Sequence, residues 1–325
     1  MHNANEKKNI ARNRQEKYTE EEMANRIPLL SDIVFKYIFG TEESADILKT
    51  FINAVLQDAG FSEIKSIAVV NPFNVKTYID EKFSVIDTRA EDNNGDKYNI
   101  EVQVRTQADY QERSLYYWAK TYSDQLKDGE LYGILKKVIS ISILNFCLFP
   151  DHVPYHSCYM LRENSNPENV LTEDCIMHYL EVPKLKGTPK KEIEKWLYFI
   201  EYGDKEDETV KVLIDNDAMF RAARRRYEYF IADEKARIAY QQRSMFLHDQ
   251  ANYIYTARKE GREEGREIGL EEGRQEGRQE GRQEGRQEGR VEEKKATARK
   301  MKELGISPSQ ISKVTGLEEK EIETL

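Results

Sequence analysis

The chain has 325 residues, 39% hydrophobic and 34% charged, with a formal net charge of −9. That length holds one large or two small domains, and the acid excess argues against a passive nucleic-acid coat, whose footprint is basic. No run of about 20 consecutive apolar residues occurs, so no membrane span and no membrane partner are expected.

Charge is dense in the first 25 residues and beyond position 255, while the middle is rich in Tyr, Ile, Leu and Phe and can bury a core. Cys147, Cys158 and Cys175 form no disulfide framework, and the N-terminus has no apolar signal core, so a reducing, cytoplasmic setting is expected.

Residues 1–25 read as a polar tail. Ser31 can cap a helix over 29–39 that Gly40 stops, with Ile33, Tyr37 and Ile38 on its apolar face. Ile47, Leu48, Phe51, Ile52, Val55 and Leu56 recur at helical spacing over 43–58. Strands are expected at 63–70, 82–89 and 97–106. The last two, FSVIDTR and YNIEVQVRT, flank a polar Asn/Gly turn and can pair as a hairpin.

Side chains alternate along a strand. Val102 and Val104 can therefore face a core while Glu101, Gln103 and Arg105 share the other face, with Asp87 beside Glu101. Two carboxylates, an amide and a cation on one small surface suit a hard divalent metal and a phosphate.

A helix is expected at about 108–127, with Gly129 beyond its end, and Arg113 and Tyr117 lie on one of its faces. The run KVISISILNFCLF, 137–149, reads as a buried central strand. HYLEVPKL reads as a further strand, EIEKWLYFIEY and DETVKVLIDND as helices, and 218–257 as largely helical. The fold class is α/β: a small mixed sheet flanked by helices, followed by a helical C-terminal extension.

From Gly261 to Gly289 a glycine recurs every fourth residue in an EGRQ repeat. Each glycine costs a helix about 1 kcal/mol relative to Ala, and like charges meet at i,i+4. A flexible or partly helical charged spacer is favoured over a glycine ridge that brings two copies together. In the last segment Gly305 ends a helix, Ser307, Pro308 and Gln310 can start another as a capping box, and Gly316 turns before the last. The spacing is that of a helix-turn-helix, but EEKEIE is acidic where phosphates would sit, so a small interaction or assembly module is favoured. The expected divisions are 1–25, a core at 26–255, the repeat at 256–294 and the module at 295–325.

The ordered set SDIVFKYIFG, the Asp87 strand, YNIEVQV, QERSLYYWAKTYSDQL, Gly129-Glu-Leu-Tyr132, VISISILNF, LEVPKL and EKWLYFI covers about 27–200. It resembles the PD-(D/E)XK nuclease superfamily, and more narrowly the bacterial recombination-promoting nucleases often labelled transposases. The resemblance implies a restriction-endonuclease-like core that hydrolyses DNA with Mg²⁺. It implies Asp87 and Glu101 as metal ligands, with the Val102 carbonyl as a further one. Gln103 stands where the superfamily usually has the Lys that orients or activates water, as this family often does. Asp32 is placed at a second metal or its water, Lys36 as a replacement cation, and Arg105, Arg113 and Tyr117 at phosphates. A homo-oligomer, possible as a dimer, suits double-strand cutting.

Other chemistries find little support. His152, His156, Cys158, Cys175 and His178 match no common zinc spacing. Arg224, Arg225 and Arg226 read first as a solvated helix face, and no P-loop or nucleophile elbow occurs. Two competing function classes remain: a DNA-binding or regulatory protein with a weak or silent site, and an assembly protein acting through its repeat tail.

Overall fold

The computed structural model describes residues 26–71, 88–106 and 108–325. The expected strand at 82–89 therefore lies mostly outside the described residues, and Asp87 lies outside them entirely. Ser31 Oγ accepts from the Val34 N–H at 3.3 Å and starts helix α1 (Asp32–Phe39), which ends at Gly40. A short 3₁₀ turn leads into α2 (Ala45–Asp58).

The sheet has six strands: β1 (Ile67–Val69), β2 (Thr88–Asp92), β3 (Lys97–Gln103), β4 (Val138–Leu144), β5 (His156–Arg162) and β6 (Val170–Glu181). Their spatial order is β1-β2-β3-β4-β6-β5. β1, β2 and β3 pair antiparallel, β3-β4-β6 run parallel, and β5 returns antiparallel at the edge. The β2–β3 turn is held by Asp92, whose Oδ1 accepts from Asn94 N at 2.8 Å and Asp96 N at 3.0 Å. Gly95 takes the left-handed conformation (φ 84°) that this turn requires.

Alternation divides the strands between two faces. Tyr98, Ile100 and Val102 of β3 and Ile139, Ile141 and Ile143 of β4 enter the larger core. Over that face pack α1, α2, α4 (Glu192–Tyr202), α5 (Glu208–Asn216) and α6 (Ala218–Ala232), whose buried aromatics Phe39, Phe51, Trp196, Phe199 and Phe220 cluster there. The opposite face carries α3 (Tyr110–Ser123). Among the polar contacts that hold it are Ser114 Oγ to Tyr179 OH (2.7 Å), Trp118 Nε1 to Val138 O (2.9 Å) and Tyr122 OH to Asp174 (2.8 Å). The central β4 is buried along its whole length, as its apolar sequence predicts.

The chain divides into two compact units after Phe246. Helix α7 (Glu234–Glu303) is 70 residues long and runs unbroken through the EGRQ repeat. Among the described residues the repeat side chains are exposed and one bond between them is seen, Gln275 Nε2 to Glu271 Oε1 at 3.3 Å. Glu, Gln and Arg favour helix nearly as well as Ala, and no proline interrupts; packing supplies nothing further. In the C-terminal unit α8 (Pro308–Thr315) and α9 (Glu319–Thr324) fold back so that Ile311, Leu317 and Ile322 bury against Ala298 of α7. Ser307 Oγ donates to the Gln310 side chain at 3.1 Å and accepts no capping bond from a backbone N–H.

Candidate active site

β3 places Asn99, Glu101 and Gln103 on the face beneath α3, opposite the core-facing Ile100 and Val102. Thr88 pairs with Ile100, and even-numbered β3 residues turn their backbone groups toward β2. By this alternation the Val102 carbonyl points to the β2 side, past Thr88, where the described strand begins. Gln103 faces the other way, its carbonyl accepting from Asn145 N at 3.0 Å.

Glu101 is the centre of the site. Its Oε1 is ion-paired with Arg113 of α3, and Tyr110 OH approaches Oε2 at 3.4 Å. The carboxylate keeps 18% side-chain exposure, so it is neither buried nor free. Arg113 also lies over the Tyr110 and Tyr117 rings, 5.7 and 5.8 Å from their centroids. Burial, and next the Glu101 carboxylate, push the Tyr110 phenol well up, so it remains a donor. Ser140 and Ser142 of β4 leave a cavity of about 20 Å³ beside Glu101, room for a single water.

The structure brings Glu101, Arg113 and Tyr117 together, as their positions on β3 and one face of α3 predict. Gln103 stands at the end of β3, where its Nε2 donates to Arg105 O at 3.1 Å. β3 ends at Gln103, so Arg105 lies beyond the strand, exposed, and not on its alternating face. Asp32 is engaged elsewhere: Oδ1 accepts from Ile33 N at 2.8 Å, and Oδ2 meets Arg243 at 2.6 Å. Lys36 is 8% exposed, and its stem and the Thr88 hydroxyl converge on Gly40, at the start of β2. Among the described residues no three His, Cys, Asp or Glu side chains group as metal ligands. Glu101 and the Val102 carbonyl are hard oxygen donors that suit a divalent cation, and the second carboxylate of that set, Asp87, is outside the described residues.

Sequence reading missed Tyr110, Ser142 and Arg89 around Glu101, and the Asp32–Arg243 pair. Tyr110 opens α3 nine residues after Glu101, a weak signal; Arg243 is 211 residues from Asp32 and leaves none. Two of the histidines join a hydrogen-bonded chain. His156 links Asp58 (2.7 Å) to His178 (3.0 Å), while Lys191 holds the other Asp58 oxygen (2.6 Å). The Arg224–Arg226 run is largely structural: Arg224 donates to Gly203 O, and Arg226 donates to Tyr37 O at 3.3 Å and lies over its ring.

A family model described as PD-(D/E)XK nuclease family transposase matches residues 29–257, more than half of the chain. The chain belongs to this family. Membership brings a nuclease or transposase-like function, DNA as the substrate and the divalent-metal chemistry typical of such nucleases. The six-stranded sheet with its flanking helices is the family's PD-(D/E)XK α/β core. No curated protein and no solved structure matches the chain. Among the described residues no helix is long and apolar enough to cross a membrane.

Proposed function

We propose that this protein is a Mg²⁺-dependent DNA endonuclease that serves recombination, DNA mobility or defence against foreign DNA. The observation that carries the proposal is Glu101: a part-exposed carboxylate at the C-terminal end of a parallel strand, with one oxygen on a mobile type of partner, an arginine. Ligands of open α/β sheets gather at such strand ends.

In this reading Asp87, Glu101 and the Val102 carbonyl hold the ion. When bound, it supplies Lewis-acid stabilisation of the attacking and leaving oxygens of the phosphodiester. Arg113 is the residue that changes partner, passing from Glu101 to a phosphate oxygen when DNA arrives. Tyr117 holds the Arg113 guanidinium over its ring, and Arg105 meets the phosphate backbone beyond the strand end. The Gln103 amide cannot take a proton at neutral pH, but its oxygen can accept from the attacking water and orient it. Lys36, on α1, adds a cation to the site, and Asp32 joins only if Arg243 releases it. Water attacks phosphorus, the P–O3′ bond breaks, and a 5′ phosphate and a 3′ hydroxyl result. The protein works in the cytoplasm, and two copies acting together would cut both strands.

The test is cleavage of supercoiled plasmid with Mg²⁺, Ca²⁺ or EDTA by wild type, Asp87→Ala and Glu101→Ala. Nicking or linearisation in Mg²⁺ that both folded variants lose supports the reading. A second reading, a DNA-binding regulator with a silent site, draws on the arginine pairing of both Glu101 and Asp32. It gains if wild type never cleaves yet Asp87→Ala still binds DNA.

A further inference from the structure

A cavity of about 540 Å³ opens beside Glu101, between the β2–β3 hairpin, α3 and the segment leading into β4. It shares Arg89, Asn99, Tyr117 and Thr121 with the small cavity at Glu101, so the two adjoin. Its far wall is firm. Gln125 bonds the Lys136 backbone twice, Nε2 to O and Oε1 to N, both at 3.0 Å. Asn99 Nδ2 donates to Thr121 Oγ1 at 2.8 Å, which ties the floor to α3.

The lining combines three chemistries. Arg89, Lys120 and Lys136 supply cations, against one unmatched acid, Asp124; the other acid, Glu91, is ion-paired with Lys97. Tyr117 supplies an aromatic face, and Ile134 an apolar contact. Asn99 and Thr121 supply polar groups. In a chain of net charge −9, a locally cationic cavity suits an anionic ligand. Phosphate alone would not need the aromatic and apolar walls, and the size is that of pockets that take small organic groups.

We propose that this cavity receives one unstacked nucleotide of the DNA strand next to the cleaved phosphate. The base stacks against Tyr117 and its phosphate meets Lys120 and Lys136. The proposal rests on the nuclease reading of Glu101 and adds the substrate class: DNA carrying an unpaired nucleotide, since extrusion costs least where pairing is already absent. A base held in a duplex cannot enter.

The test is fluorescence anisotropy of the full chain with two labelled duplexes in EDTA, one fully paired and one with a single-nucleotide bulge. Wild type should bind the bulged duplex about ten-fold tighter, the scale of one base–aromatic stack. Lys120→Glu should remove that preference, and so should Ile134→Trp, which narrows the cavity without changing charge. Both positions are solvent-exposed, so the fold is retained. Equal wild-type affinity for the two duplexes, or a preference that survives both variants, overturns the pocket. Cleavage of the bulged duplex and of plasmid by the same wild-type preparation in Mg²⁺ separates the two readings. Cleavage without a bulge preference removes the pocket and leaves the nuclease, whereas a bulge preference without cleavage keeps the pocket and removes the nuclease.

Discussion

Two carboxylates stand toward the C-terminal ends of parallel strands, and their surroundings differ. Glu181, the last residue of β6, is fully buried and saturated. Its Oε1 accepts from Leu148 N (2.5 Å) and Phe149 N (3.0 Å), and its Oε2 meets Lys184 at 2.7 Å. Lys184 also holds Pro150 O and Val153 O, each at 3.0 Å, so the pair clasps the loop after β4. Glu101, on β3, is part-exposed, with Arg113 on one carboxylate oxygen and the Tyr110 phenol 3.4 Å from the other. A carboxylate whose lone pairs are all met by backbone N–H groups and lysine is structural; one with an exchangeable partner can take a ligand.

The largest expected effect is on Glu101. Glu101→Ala should lower plasmid cleavage about a thousand-fold, several kcal/mol of lost transition-state stabilisation, with a near-unchanged urea midpoint. Glu181→Ala should do the reverse. It strands Lys184 beside a broken clasp, and urea denaturation should show a loss of about 3–5 kcal/mol. A stable Glu181→Ala protein would erase the distinction between the two sites.

A smaller effect falls on Arg113→Ala. Freed of its partner, Glu101 should still support cleavage, but DNA binding should weaken about ten-fold or more, with a shallower salt dependence, as expected when a phosphate contact is lost. Titrating binding against salt measures it.

Acid provides a probe of the third polar cluster, Asp58–His156–His178. Burial, and then His156, pull His178 down to about 3. Its unfolded value is about 6.5. Between those limits the unfolded chain binds a proton that the folded chain refuses, so stability falls as pH falls from about 6.5 toward 3. Burial works to raise Asp58, but hydrogen bonds from Lys191 and His156 leave it lowered, so its contribution is also lost toward acid. Melting temperature against pH should drop over this window, and His178→Gln should flatten the upper part of the drop.

The smallest effect belongs to the repeat. Gly277 and Gly281 meet nothing where a Cβ would stand. Converting both to Ala should raise helicity by circular dichroism, by about 1 kcal/mol per site, and leave cleavage untouched. The repeat thus inverts the logic of the sheet: composition, not packing, keeps it helical.

Legibility in the sequence follows the same division. The β3 alternation, the buried β4 run and the Gly40 stop are local signals, and each appears where expected. β5 leaves no such signal, because HSCYMLR lies at a sheet edge and is part-exposed or exposed throughout, without a clean alternation. The charge register of the repeat and its glycines point to a spacer, yet Glu, Gln and Arg still favour helix, and the segment is helical. Glu101 was legible because strand parity turned it away from Val102. Spacing puts Arg113 and Tyr117 on one face of α3, but the bond from Arg113 to Glu101 joins two elements and leaves no mark in spacing. Arg243 on Asp32 is the extreme case.

The most direct measurement sets Glu101→Gln beside Glu181→Gln, with cleavage rate in Mg²⁺ and urea midpoint read on the same preparations. The account predicts a stable, inactive Glu101→Gln and a destabilised Glu181→Gln that cleaves wherever it remains folded. Cleavage by Glu101→Gln at the wild-type rate would contradict it.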